Sequence, residues 1–400
     1  MPPPVAPFAA RATLPVTLLV QSAASAAALA PTVAAPQLLA ALQLKAVAVG
    51  IYIALVYFAA MFSSQWGAAL VRRWGPLRTS QAALASCAFG LALMNLPQLP
   101  AALAGALLIG VGYGPMTPAS SEMLARTTRP ERYALVFSIK QTGVPLGGAI
   151  AGLLVPPLLG RVGMGGMLAA MALLCGLGIV LAQPLRGVLD AARDPAAPWP
   201  TPSRMAGPVR RVLAHPVLRR IALCTLVFSA VQVSLTSYTV TFLTAELHWT
   251  LVAAGVALSV AQGGGVAGRI AWGWVADGRA GAARTLIGLA LAMALLGGAM
   301  ALLTPATPPW PAMGLLAAYG ATAIGWNGVY LATVARLVTH DEAAAATSGS
   351  LFFTYFGVVL GPPLFGAIGT ASGSLGTAFA LLALPLAWTV WTLKRAGIAP

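Results

Sequence analysis

The sequence predicts an all-α integral membrane protein whose twelve transmembrane helices form two six-helix bundles related by an internal repeat. Three observations predict it. Hydrophobic residues make up 59% of the chain and charged residues 8%, against roughly 25% charged in a soluble globular domain. The charges punctuate apolar runs of about 20 residues, the length a helix needs to cross a ~30 Å hydrocarbon core. Short strings bearing Trp and Gly also recur in the same order in the two halves. A formal charge of +15 would suit nucleic acid only if the basic residues shared one solvated face. Here they are scattered between apolar runs, so no nucleic-acid partner is expected. Cys87, Cys175 and Cys224 lie inside apolar runs without metal-site spacing, and no metal or cofactor is expected.

The twelve spans fall at 13–36, 46–71, 79–96, 101–124, 133–159, 163–185, 221–243, 251–276, 285–303, 311–337, 343–370 and 375–393. The first, "TLPVTLLVQSAASAAALAP", resembles a secretory signal because "AAALA" is a small-residue cleavage pattern. The repeat needs it as its first member, so it is read as a span. Pro and Gly within the spans are tolerated because neighbouring helices satisfy the freed backbone groups. The polar break at 186–220, containing "DPAAPWPTPSR", is expected to be a semi-extended linker with little folded structure. The expected domains are therefore 1–185, a cytoplasmic linker 186–220, and 221–400. With both termini cytoplasmic, all of the 23 basic residues fall inside except Lys45 and Arg161, which lie outside, and Lys140 and Arg269, which lie within spans five and eight. This matches the Lys/Arg bias of cytoplasmic loops and predicts a multi-pass protein of an inner (plasma) membrane.

The repeat places "WGAALV" from Trp66 over "WGWVAD" from Trp272, and "GVPLGGAIAG" from Gly143 over "GVVLGPPLFG" from Gly357. The offsets, 206 and 214 residues, suit one duplication with small insertions. On these residues the chain resembles the major facilitator superfamily, which is built as two six-helix halves around a midplane site. The string "GWVAD", Gly273 to Asp277, is similar to the family's loop motif in its second-half copy and implies a gating role for Gly273 and Asp277. The first-half copy, "WGAALVRRWGPLR", has Val71 where the family has aspartate if aligned by the repeat, or Arg72 if aligned on Gly75. "GVPLGG" only partly resembles the family's antiporter motif, because Pro145 is displaced. Arg269 is similar in placement to the eighth-helix arginine that binds the substrate carboxylate in monocarboxylate and oxalate carriers. Oxalate carriers place a partner lysine in helix eleven, but here that helix carries no lysine, and its position matching Lys140 in the repeat is Thr354.

Ionisable residues inside a bilayer are costly, and function is their default reading. Lys140 is eight residues from Arg132 and Arg269 eight from Asp277, so each lies roughly 12 Å inside its helix end. Each has an ordinary alternative: snorkelling to the interface or bonding a neighbouring carbonyl as packing glue. No Asp or Glu lies mid-span, and a buried cation is normally paired. An anionic substrate would supply the missing charge. Gln262 lies nearly on the Arg269 face, and the pairs Gln21/Ser25 and Gln232/Thr236 are spaced i, i+4. The family's cavity-lining helices one, four, seven and ten add Tyr113 of "GYGPMTP" and Asn327 of "GWNGVY". Gln141, about 100° round from Lys140, is expected to face another helix.

The expected function is secondary transport of a small organic anion, a carboxylate in chemical class, by alternating access as a monomer. Lys140 and Arg269 would bind the anion, and Gln21, Tyr113, Gln232, Gln262 and Asn327 would complete the site. Proton symport fits either through the substrate or through Lys140, since arginine does not deprotonate. Two alternatives stay open: a multidrug or cation antiporter, for which a mid-span carboxylate is expected, and a non-transporting receptor or scaffold of the same fold.

Overall fold

The computed structural model describes residues 7–41, 43–96, 98–128, 136, 139–199, 206–277, 281–337 and 340–395. Among the described residues every regular element is helical. In order they are α1 (Pro7–Val33), α2 (Ala35–Ala41), α3 (Val47–Trp74), α4 (Pro76–Leu93), α5 (Leu99–Tyr113), α6 (Met116–Thr127), α7 (Gly143–Ala182) and α8 (Arg186–Leu189). They continue with α9 (Ala206–Ala214), α10 (Pro216–Ala245), α11 (Leu251–Asp277), α12 (Gly281–Met300), α13 (Pro309–Ala323), α14 (Asn327–Arg336), α15 (His340–Ser372), α16 (Leu375–Leu381) and α17 (Ala383–Lys394).

Nine stretches of the described residues are long and apolar enough to cross a membrane, and the layout agrees with twelve spans in two bundles. One stretch, Ile139–Leu189, carries two spans. Helix α7 is interrupted at Gly163, where φ is 69° and ψ −175°, a conformation essentially confined to glycine. Two spans are each built from a broken pair of helices: α5 and α6 around Gly114 and Pro115, and α13 and α14 around Ile324 to Trp326.

The chain divides into two compact units, Met1–Ala34 with Leu55–Pro202, and Ala35–Ala54 with Ser203–Pro400. In the first unit α1 packs along α7, and α4 packs on α5 and α7. In the second, α10 packs along α15, α11 on α13, and α12 on α17. The α1–α7 and α10–α15 contacts occupy corresponding places in the repeat. A Cβ on Gly143 would press on the Gln21 side chain, and one on Gly357 would strike the Leu226 carbonyl and Ser229. These glycines let helix backbones meet, which is how helices associate where lipid provides no hydrophobic drive.

The segment after α7 corrects the expectation of an unstructured linker. It forms α8, and α9 follows further on. Asp190 is 3% exposed and accepts hydrogen bonds from Leu77 N at 2.8 Å and Arg78 N at 3.1 Å. It thereby satisfies two of the orphan donors at the start of α4, against the positive end of the helix dipole. Gly75, at φ 96°, leaves room for the carboxylate, because a Cβ there would collide with it. Burial pushes the Asp190 carboxyl above its ordinary range, opposed by those two N–H groups and by the Arg186 and Arg193 charges. Asp194 N bonds Arg72 O at 2.8 Å, Arg73 donates to Ala197 O at 2.8 Å, and its guanidinium lies over Trp199. Pro-rich composition signals extended backbone, yet the arginines and Asp190 give this segment specific partners.

Candidate functional site

In the second unit, three of the expected site residues converge on the break between α13 and α14. Arg269 Nε donates to Ile324 O at 3.2 Å. Gln232 Oε1 accepts from Trp326 Nε1 at 3.0 Å and from Asn327 Nδ2 at 3.1 Å. A helix break frees carbonyls and N–H groups that must find partners inside a membrane; here Arg269 on α11 takes the Ile324 carbonyl, while Gln232 on α10 ties down two side chains of the break. Trp272 on α11 adds a bond from Nε1 to Ala321 O at 2.8 Å. Close packing makes this reach possible: a Cβ on Gly264, Gly268 or Gly320 would strike the carbonyl of Ala317, Ala321 or Ala261 respectively. Gln262 is 2% exposed on the same helix as Arg269.

Arg269 therefore does bond a neighbouring carbonyl, as its packing alternative requires. That bond uses Nε and fixes the plane of the guanidinium before any ligand arrives. Beyond the break, Phe228 meets Trp326 edge-on at 5.5 Å, and Trp326 meets Tyr330 at a tilt at 5.6 Å. The Tyr330 hydroxyl sits beside Thr225, Ser350 and Thr354, and neither it nor Ser350 Oγ makes a hydrogen bond of full geometry.

In the first unit Lys140 stands on the helical turn leading into α7 and is 1% exposed. Its Nζ donates to Gln141 Oε1 at 3.3 Å. The expectation that Gln141 faces another helix is thus corrected: its flexible side chain bends back to the ammonium. Gln21 on α1 is 2% exposed, with Nε2 at 3.5 Å from Ser25 Oγ and its Oε1 buried without a hydrogen bond. Tyr113 closes α5 and meets Tyr57 edge-on at 5.5 Å.

Of the gating pair, Gly273 lies in open surroundings, since a Cβ there would meet nothing within 4 Å. Asp277 is the last residue of α11, and its side chain lies outside the described residues. Sequence reasoning missed Trp272, Ser63 and the hydroxyls around Tyr330. Trp272 and Trp326 stand in strings already singled out, but an indole in an apolar helix carries no sign of the carbonyl it bonds.

A two-bundle helical membrane protein with a repeated pattern of broken helices defines a secondary transporter. The sequence profile of the Major Facilitator Superfamily matches residues 17–362, and the chain belongs to that family. It is a multi-pass membrane transporter and not an enzyme. Among solved structures, the nucleoside transporter NupG superposes with a TM-score of 0.78 at 14% identity, covering 97% of this chain and 100% of that one. A bacterial homologue of the human lysosomal transporter Spinster matches in two inward-facing forms. The unoccupied form gives a TM-score of 0.71 at 18% identity, covering 98% and 96% of the two chains. The occupied form gives 0.68 at 17%, covering 96% and 94%. At these identities the likeness shows the fold alone. No curated protein matches the sequence.

Proposed function

We propose that the protein carries a small organic anion, a carboxylate, across an inner (plasma) membrane as a monomer with both termini cytoplasmic. The observation that carries this reading is a pair of cations within apolar spans, Lys140 at 1% exposure and Arg269 anchored by Nε to a helix break, in a sequence without a mid-span carboxylate. An arginine offers a planar fork to a carboxylate and a lysine a compact charge. Gln21, Tyr113, Gln232, Gln262 and Asn327 orient the rest of the ligand. Lys140 is the member able to release a proton, which suits proton symport.

A thermal-shift screen of the purified protein against small mono- and dicarboxylates tests the substrate class, because a ligand that binds only the folded state raises its apparent stability. Stabilisation by organic cations with none by carboxylates would favour the antiporter alternative. Uptake of the stabilising carboxylate into liposomes separates transport from a receptor role. Asp277 and Gly273 belong to switching: Asp277→Asn slows turnover in such liposomes with ligand affinity retained, and a loss of affinity at normal turnover contradicts the assignment.

A further inference from the structure

Apart from the mid-span residues, the first unit carries a donor-rich cavity at the end of the bundle that the arginine bias assigns to the cytoplasm. Its volume is about 570 Å³, and Gln183, Arg186, Gly187, Asp190, Ala191 and Arg193 line it. The one carboxylate there is spent elsewhere, since both Asp190 oxygens accept from backbone N–H groups of α4. Gln183 Oε1 accepts from Gln81 Nε2 at 2.8 Å, which leaves its amide N–H groups as donors. Beside Asp190, on which the Arg186 and Arg193 charges also act, the cavity offers those two guanidiniums and an amide, a set that recognises an oxyanion.

Its position selects which oxyanion. The helix leading into it presents Leu173, Leu177, Val180 and Leu181 outward, 49–74% exposed, as a lipid-facing surface does. The cavity opens two residues beyond Leu181, towards the end of the apolar stretch Ile139–Leu189. Trp199, six residues on from Arg193, is 56% exposed and edge-on to Trp74, an aromatic of the kind enriched at membrane interfaces. We propose that this cavity binds the phosphate of an anionic phospholipid headgroup, with Arg186 and Arg193 as its ligands and the acyl chains lying along Leu177 and Val180. Basic sites at the cytoplasmic ends of membrane helices take such headgroups. The lipid would pin the 186–199 segment against the start of α4.

The test uses the full chain in a neutral detergent, with phosphatidylglycerol, phosphatidylcholine and sodium phosphate as separate probes. Native mass spectrometry counts retained lipid, and the melting temperature reports stabilisation. Phosphatidylglycerol is expected to be retained and to raise the melting temperature, while the other two do neither at equal concentration. Arg186→Gln with Arg193→Gln should weaken phosphatidylglycerol retention about tenfold or more, whereas Arg186→Lys with Arg193→Lys should keep most of it, because an ammonium still binds phosphate. The lysine pair guards against a trivial folding defect. Undiminished retention in the glutamine pair, loss in a folded lysine pair, or equal binding of phosphatidylcholine would overturn the proposal. Equal stabilisation by sodium phosphate would make it a site for a soluble anion and overturn the lipid assignment.

Discussion

The two broken helices, α5–α6 and α13–α14, stand at corresponding points of the repeat, Gly112-Tyr113-Gly114 over Gly325-Trp326-Asn327, yet they are held differently. In the first unit Ser63 Oγ lies 3.3 Å from Gly110 O, a neutral contact from the second span. The residue that matches Ser63 at the 206-residue offset is Arg269, which bonds Ile324 O. The reverse holds one helix further on, where Lys140 in the first unit corresponds to Thr354, which bonds Thr225 Oγ1 at 3.3 Å. Each half thus carries one cation where the other carries a hydroxyl. The hydroxyls show what the architecture needs at those points: a hydrogen bond, with no charge.

The sharpest way to break this comparison is to make the second unit like the first. Arg269→Ser keeps a small hydroxyl beside the break and removes the charge. Losing one partner of a desolvated charge pair commonly costs about 2–5 kcal/mol, so anion binding should nearly vanish in calorimetric titration. Arg269→Lys should recover little, because the fork is lost. Binding that survives Arg269→Ser would reduce the arginine to a clamp on the helix break.

A smaller effect separates the packing glycines from the motif glycine. Gly320→Ala forces a Cβ onto the Ala261 carbonyl, and overpacking of this kind costs about 1–3 kcal/mol. Gly273→Ala meets nothing and should leave the melting temperature unchanged. Equal melting temperatures for the two variants would show that the α11–α13 contact is not the close approach described.

The smallest effect concerns the start of α4. Asp190→Ala removes the acceptor for Leu77 N and Arg78 N, and the loss of a helix-capping acceptor costs about 0.5–2 kcal/mol. Amide exchange should quicken at Leu77 and Arg78 before anywhere mid-span. Unchanged exchange there would place the carboxylate away from these amides.

The spans were legible because hydrocarbon dictates composition: twelve apolar runs, interrupted by arginine, leave little choice of fold. The buried cations were legible for the same reason, as exceptions to that composition. What joins them was not. Asp190 reaches across more than a hundred residues to Leu77, and no local pattern marks its partner. Trp272 and Gln232 find the α13–α14 break only once close helix packing brings their spans to it. The linker misled because Pro and polar residues signal an open chain, whereas its contacts with Arg72, Arg73 and the α4 amides are long-range. Gln141 was misplaced by reasoning from helix angle, which fixes where a Cβ points and not where four further atoms of a side chain go.

The proposed function requires carboxylate binding to depend on both Lys140 and Arg269. A double-mutant cycle in calorimetry, using the carboxylate that binds best to the unmodified protein and the variants Lys140→Gln, Arg269→Lys and their combination, measures it most directly. Losses at two residues that serve one binding event should be non-additive by about 0.5–3 kcal/mol, and Lys140→Gln should stay folded without ligand, since a buried ammonium without an anion does not stabilise an empty site. Additive losses would mean that the two residues act independently, and a Lys140→Gln protein that binds carboxylates normally yet melts early would mean that the lysine is structural.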